Sequence, residues 1–181
     1  MILTRTLDAA SVSPLDVNLR PLELSDAESL AEAYLCNREH LAPWEPLRSE
    51  EFFTIAGQRE SIRTKLLGGE LPWVLIGDTG IVGLITLTGI VRGPFLNANL
   101  GYWIDQACTG KGLASAAVEA VLAMAGNELG LHRIQAATLT HNAASQAVLK
   151  RCGFEQIGLA SRYLNIAGEW QDHLLHQRIL F

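Results

Sequence analysis

The sequence predicts one mixed α/β domain of the α+β type. Its sheet is expected to have six to seven strands, mostly antiparallel, with one parallel and splayed pair, flanked by about four helices. Three observations carry this expectation. Helical and extended patterns alternate along 181 residues without a repeat. Three consecutive apolar, β-rich runs at 73–77, 81–91 and 98–104 read as an antiparallel meander. The last of them, ending Tyr102, Trp103, Ile104, passes through Gly110, Lys111 and Gly112 into an amphipathic helix and then another strand. That unit joins parallel strands by a right-handed crossover.

The elements follow in order. Residues 17–22 form a short strand, and Ser25 or Asp26 caps a helix running to about Asn37 with Leu30 and Tyr34 on one face. Residues 38–49 hold Pro43, Trp44, Glu45 and Pro46, which exclude regular helix because each proline removes a donor and restrains its predecessor. A loop is expected there, then a second helix over 50–67 ended by Gly68 and Gly69. Asp78, Thr79 and Gly80 make a hairpin turn inside the meander, and Gly93 with Pro94 a second break. From 110 to 130 apolar residues recur every fourth position at Leu113, Ala117, Val121, Ala125 and Leu129, an amphipathic helix closed by Gly130. A strand over 133–139, a helix over 142–152 ended by Gly153, and strands over 154–157 and 171–181 complete the chain. The expected division is a lead segment over 1–16 and a domain over 17–181.

With 49% hydrophobic and 18% charged residues, the chain can fill one core but hardly two. A formal net charge of −5 argues against nucleic acid, whose binders carry clustered positive charge, and favours a basic partner. The three cysteines, Cys36, Cys108 and Cys152, lie far apart without metal-ligand spacing, so neither a disulfide framework nor a metal site is expected. The start lacks a basic segment followed by an unbroken apolar run, and the longest apolar stretch, at 81–91, is shorter than the ~20 residues of a membrane-spanning helix. A cytoplasmic protein without a membrane partner is the expectation.

A strand entering a glycine-rich turn and a helix start presents unpaired N–H groups at the positive end of a helix dipole, a site for a phosphate or pyrophosphate. The turn lacks the spacing of a Walker loop. It also lacks the third glycine or alanine of a dinucleotide fingerprint, since position 115 is Ser115, and no acid ends the following strand at Thr138, Leu139, Thr140.

Six segments match another pattern: Gly101-Tyr102-Trp103-Ile104-Asp105, Gly110-Lys111-Gly112-Leu113-Ala114, Leu129-Gly130-Leu131-His132-Arg133-Ile134, Asn142-x-x-Ser145, Gly153-Phe154-x-x-x-Gly158 and Gly168-Glu169-Trp170-Gln171-Asp172. In that order and spacing, with Arg20-Pro21-Leu22 and Leu41-x-x-Trp44 before them, the chain resembles the GNAT superfamily of N-acetyltransferases. The likeness is to the branch that acetylates the N-terminal amines of ribosomal proteins, and it covers about residues 17–181. One departure lies at Ala107, where the superfamily usually has Gln or Arg; Gln106 is one position early.

The resemblance implies acetyl-CoA as the cofactor. It implies that Gly110, Lys111, Gly112, Leu113 and Ala114 hold the pyrophosphate, that pantetheine lies beside the strand ending at Ile104, and that Asn142 bonds the arm. It also implies an oxyanion donor among the backbone N–H groups near Trp103 or Ile104. Ser145, three residues after Asn142 and on the same helix face, takes by resemblance the part of proton donor to the leaving thiolate. The tyrosine that fills this role in many relatives is replaced by Leu149, and the glutamate that some members place before Tyr163-Leu164-Asn165 is replaced by Arg162. The base therefore stays open among Glu45, Asp172, His173 and a water chain.

Simpler roles stand beside these. Gly110 and Gly112 alone suit an ordinary turn, Lys111 a solvated loop, Asn142 a helix cap, Ser145 a small helix residue and Asp172 a hydrogen bond at a strand bend. Trp44, on a proline-flanked loop, and Tyr163 are the expected substrate-binding residues, in a cleft walled by the first two helices, the Trp44 loop and the Tyr163 hairpin. The expected reaction is direct acetyl transfer to a primary amine, by resemblance the N-terminal α-amine of a ribosomal or other basic protein. A small-molecule amine (amino acid, polyamine, aminoglycoside) is the alternative acceptor, and a non-catalytic acyl-CoA-binding module the alternative class. A free strand edge leaves room for a homodimer across a two-fold axis.

Overall fold

The computed structural model describes residues 10–12 and 17–181. Its eight-stranded sheet runs β1 (Ala10–Val12), β2 (Val17–Pro21), β3 (Leu71–Gly77), β4 (Gly80–Val91), β5 (Asn97–Ile104), β6 (Arg133–Leu139), β8 (Glu169–Ile179), β7 (Glu155–Ile166). Every described neighbour pair is antiparallel except β5 and β6. The mixed sheet with one parallel pair is thus as the sequence predicts. Most of the lead segment expected over 1–16 lies outside the described residues, and its described part supplies the edge strand β1.

The parallel pair is short. Asn97, Ala98 and Asn99 face Arg133, Ile134 and Gln135, and pairing stops there although β5 continues to Ile104 and β6 to Leu139. A register shift in β4 between Thr88 and Val91 lies opposite Asn99 and Asn97, at the level where the pairing ends. Gly89 takes φ 56° in that bulge. A bulge bends and overtwists its ladder, so it turns β5 away from β6 and opens a gap in the sheet.

Helices cover both faces. On one, α1 (Ala27–Cys36) and α3 (Ile55–Leu67) bury Leu30, Tyr34 and Ile62 against Val74, Leu84 and Trp103. On the other, α4 (Leu113–Asn127) and α5 (Ala143–Arg151) bury Leu113, Val118, Val121 and Leu149 against Leu75, Ile85, Leu87 and Ile134. Alternation along the strands sorts these side chains onto opposite faces.

Four boundaries differ from expectation. Arg38–Leu41 forms a single helical turn, α2, where a loop is predicted. The prolines at 43 and 46 restrain only themselves and their predecessors, so the turn upstream is free to form. The helix expected over 50–67 is divided: Glu50–Phe53 is a 3-10 turn, and Thr54, extended at ψ 158°, caps α3 by accepting from the Gly57 N–H at 3.1 Å. Gly57 permits this break, because a Cβ there would stand 1.9 Å from the Glu51 carbonyl oxygen. The helix predicted from 110 begins at Leu113. The strand predicted over 154–157 extends instead to Ile166, because β7 pairs with β8 through two register shifts that sequence alternation does not reveal.

A partly buried ion pair secures the entry to α1. Arg20 donates to both oxygens of Asp26 at 2.8 and 2.6 Å, and Asp26 also accepts from the Glu23 N–H at 2.8 Å. Burial works to raise the Asp26 carboxyl, but Arg20 and the Glu23 N–H outweigh it and hold the carboxyl below its ordinary value. Because the folded value is the lower one, this contribution is present above pH ~4 and is lost as pH falls through the folded value. Asp26→Asn is expected to cost about 1–3 kcal/mol at neutral pH and to flatten acid sensitivity below pH ~4; urea unfolding at pH 7 and at low pH checks both.

Candidate active site

The turn before α4 is held open by conformation. Gly110 has φ 73°, and Gly112, the N-cap of α4, has φ 80° and ψ −4°. Side chains rarely adopt these values, and a Cβ at either glycine would point into open space. The first helical bond runs from the Ala116 N–H to Gly112 O at 3.1 Å, and among the described residues the N–H groups of Gly110 through Ser115 have no protein acceptor. They form a cradle with the charge and geometry for an anion.

Behind this cradle lies a cavity of about 650 Å³ lined by Trp103, Ile104, Gly110, Gly112, Leu113, Ala114, Asn142 and Ser145. Seven predicted cofactor residues therefore border one space together with the predicted catalytic serine. Lys111 is exposed and does not line it. A second cavity of about 330 Å³ shares Leu41, Trp44, Tyr102, Trp103, Asn142 and Ser145 with the first. It extends to Tyr34 on α1, Lys65 on α3, Glu45 and Arg48 on the loop after α2, Leu164 and Ile166 on β7, and His173 on β8. The two spaces meet at the gap between β5 and β6.

Hydrogen-bond alternation decides which amides face that gap. The Asp105 N–H donates to Val82 O at 2.8 Å, so the odd-numbered end of β5 bonds to β4, and the N–H groups of Tyr102 and Ile104 turn toward β6, where the ladder has ended. Of the two predicted oxyanion donors, Ile104 has its N–H in the gap. The Trp103 side chain points to the other sheet face, where its Nε1–H donates to the Tyr34 hydroxyl at 3.0 Å.

Asn142 is the N-cap of α5, its Oδ1 accepting from the Ser145 N–H at 3.0 Å. The Ser145 hydroxyl lies 2.9 Å from the hydroxyl of Tyr102. Burial, opposed by this hydrogen bond, pushes the Tyr102 phenol up to about 12, so it remains protonated at neutral pH. Tyr102 has no role in the expectations above, because its contact with Ser145 spans 43 positions. The sequence signal that was available is its place in the Gly101-Tyr102-Trp103 segment.

Other predicted residues separate. Trp44 lines both cavities, its ring 5.6 Å from that of His141. Tyr163 is exposed and lines neither cavity; its ring lies 5.7 Å from His173, while its neighbour Leu164 reaches the smaller cavity. Asp172 is exposed and accepts from the Arg162 N–H at 2.8 Å, bracing the bulged part of β7. Glu45 lines the smaller cavity; burial raises its carboxyl against the opposing Arg48, whose Nε and Nη2 both lie 3.2 Å from Oε2. Leu149 is fully buried in the core.

Asn142→Ala removes the cap of α5 and frees the amide of Ser145. A loss of about 1 kcal/mol is expected, read as a lower midpoint in urea.

The Acetyltransferase (GNAT) domain family matches residues 16–155. The chain is 34% identical over 163 residues to the probable N-acetyltransferase YjcK of Bacillus subtilis (strain 168), covering 87% of this chain and 90% of that one. It is 36% identical over 156 residues to the [Ribosomal protein uS5]-alanine N-acetyltransferase of Escherichia coli (strain K12), covering 83% and 80%. The structure of Mycobacterium smegmatis RimJ in complex with CoA-disulfide superposes with a TM-score of 0.85 at 33% identity, covering 91% and 82%. An open amide cradle, a splayed parallel pair and a cavity joining them are thus found in a chain that belongs to the GNAT acetyltransferase family.

Proposed function

We propose that residues 17–181 form an acetyl-CoA-dependent N-acetyltransferase that moves acetyl directly to a primary amine, the N-terminal α-amine of a ribosomal or other basic protein. The observation that carries this reading is the continuity of two cavities through the sheet: one leads to an anion cradle, the other opens on the opposite face, and both reach Ser145. Two substrates can meet there without a covalent enzyme intermediate. The M. smegmatis relative in complex with CoA-disulfide and the E. coli relative named for uS5 alanine support the two halves of the assignment.

The residues present fit the cofactor. The free N–H groups of Gly110 through Ala114 receive the pyrophosphate, and the open space at both glycines is where the phosphates approach. The unpaired edge of β5 offers the pantetheine amides a strand to pair with. Bound acetyl-CoA supplies the thioester whose acetyl group is transferred. The Ile104 N–H, aimed into the gap, donates to the oxygen on which negative charge develops, a contribution of roughly 2.7–4 kcal/mol for a single oxyanion donor. Ser145 gives its hydroxyl proton to the departing sulfur, and Tyr102 orients that hydroxyl through the 2.9 Å contact. The acidic net charge suits a basic protein as acceptor.

Ser145→Ala is expected to lower kcat about 10²-fold, the low end for a positioned acid, with the Kd for acetyl-CoA unchanged in calorimetry. Gly110→Val places a branched side chain in the cradle at a positive φ, and weakened acetyl-CoA binding is its first effect. The reading as a whole is tested by thiol release from acetyl-CoA in the presence of peptides starting with Ala, Ser or Met, against spermidine and free amino acids. Release with the peptides supports it; no thermal upshift with acetyl-CoA, or release with small amines alone, overturns it.

A further inference from the structure

The acetyl-transfer reading leaves the acceptor's protons without a destination. An N-terminal amine is largely an ammonium at neutral pH and attacks only as the free base. Ser145 and Tyr102 cannot take its proton, because both are needed protonated. They also lie on the wrong side: Tyr102 shares the α4/α5 face of the sheet with Ser145, and the acceptor enters from the α1/α3 face.

His173 stands on that second face. It pairs with Leu139 across the regular β6–β8 ladder, so its side chain points opposite to those of Thr138, Ala136 and Ile134, and the last two of these belong to the α4/α5 core. The ring is only 3% exposed and lines the smaller cavity with Ser145 and Tyr102. Its Nδ1 lies 2.9 Å from the carbonyl oxygen of Gln171. A carbonyl only accepts, so Nδ1 carries the proton and the neutral ring keeps its lone pair on Nε2. Nε2 has no hydrogen-bond partner among the described residues and is the nitrogen left to face the cleft.

We infer that His173 is the general base of the transfer, its Nε2 receiving protons from the acceptor nitrogen on the α1/α3 face of the β5–β6 gap. The first N–H bond of the ammonium breaks, its proton passing to Nε2 directly or through one water and then to solvent. The freed lone pair forms the C–N bond with the acetyl carbon. As the C–S bond breaks, the sulfur takes the proton of Ser145, and the nitrogen's second proton leaves by way of Nε2 and cleft water, which restores the serine. One proton is released overall, as an ammonium becoming an amide and a free thiol requires.

The titratable and charged groups facing His173 are Tyr163 on β7 and, across the cavity, Glu45, Arg48, Lys65, Tyr34 and Tyr102. Glu45 is the rival base, but one of its oxygens is shared by two nitrogens of Arg48.

The decisive measurement compares His173→Asn with Glu45→Gln, using acetyl-CoA and a peptide with N-terminal alanine. Asparagine can keep a donor for the Gln171 carbonyl while removing the lone pair. For H173N, kcat is expected to fall about 10²–10⁴-fold, with the KM for acetyl-CoA and its thermal upshift retained. Imidazole restores turnover to His173→Ala, a rescue that a purely structural histidine would not show. The assignment is overturned if folded H173N keeps kcat within about threefold of wild type, if E45Q alone gives the loss of kcat expected of H173N, or if folded H173A is not rescued. Should H173N lose the thermal upshift, imidazole rescue of H173A decides. Wild type that binds acetyl-CoA but acetylates no amine overturns the transfer reading as well, whereas an active wild type with an active H173N removes His173 alone.

Discussion

The loss of pairing between β5 and β6 after three positions is the constraint on which the site depends. A sheet that stayed paired to Ile104 and Leu139 would close the gap, occupy the N–H groups of Tyr102 and Ile104, and divide the two cavities. Buried backbone donors without partners are costly, so this edge is a standing demand for something that pairs with it. The bulge at Thr88–Val91 sets where the demand begins. The irregularity that weakens the sheet also leaves open the edge on which the proposed pantetheine pairing depends.

The polar groups at the gap are each held from outside it. Asn142 uses its side chain to cap α5, which fixes the backbone of Ser145, while Tyr102 comes from the strand and fixes the serine hydroxyl. Burial keeps the phenol protonated at neutral pH, opposed by its hydrogen bond to Ser145. On the opposite face, the Ala167 N–H donates to Glu45 O at 2.9 Å, fastening the β7–β8 turn to the loop that carries Trp44. That contact gives a proline-flanked segment a fixed position over the smaller cavity without building it into the core.

Local features were legible in the sequence because they are written in adjacent residues. Glycines at 110 and 112 ahead of a four-residue apolar period announced the cradle, and the β-rich runs announced the meander. Asn142 and Ser145 could be placed together because helix geometry relates positions three apart. What stayed hidden is carried by pairings between distant residues. Tyr102 meets Ser145 across 43 positions, and β7 is mostly exposed with two register shifts, so it lacks a clean alternation to read. Tyr163 fails to line either cavity for the same reason, since those shifts determine which of its neighbours point inward. The break at Thr54 depends on the Glu51 carbonyl reaching Gly57, a contact that neither residue's helix propensity records.

One buried residue joins the two halves of the site. Asn37, at the end of α1 and 2% exposed, donates through Nδ2 to Asp105 at 2.7 Å and accepts through Oδ1 from the Gln106 N–H at 2.9 Å. Asp105 in turn accepts from the Ala107 N–H at 2.7 Å, at the start of the segment leading into the glycine turn. The helix whose Tyr34 lines the smaller cavity is thereby tied to the strand end that leads into the glycine turn. A reaction between two bound partners gains most when their separation is fixed before they arrive, since misplacement by an ångström can cost about two orders of magnitude in rate. Two walls that moved independently would leave that separation to the substrates. With both tied to the end of β5, the strand that borders the gap, the protein sets the approach of amine to thioester in the proposed reaction.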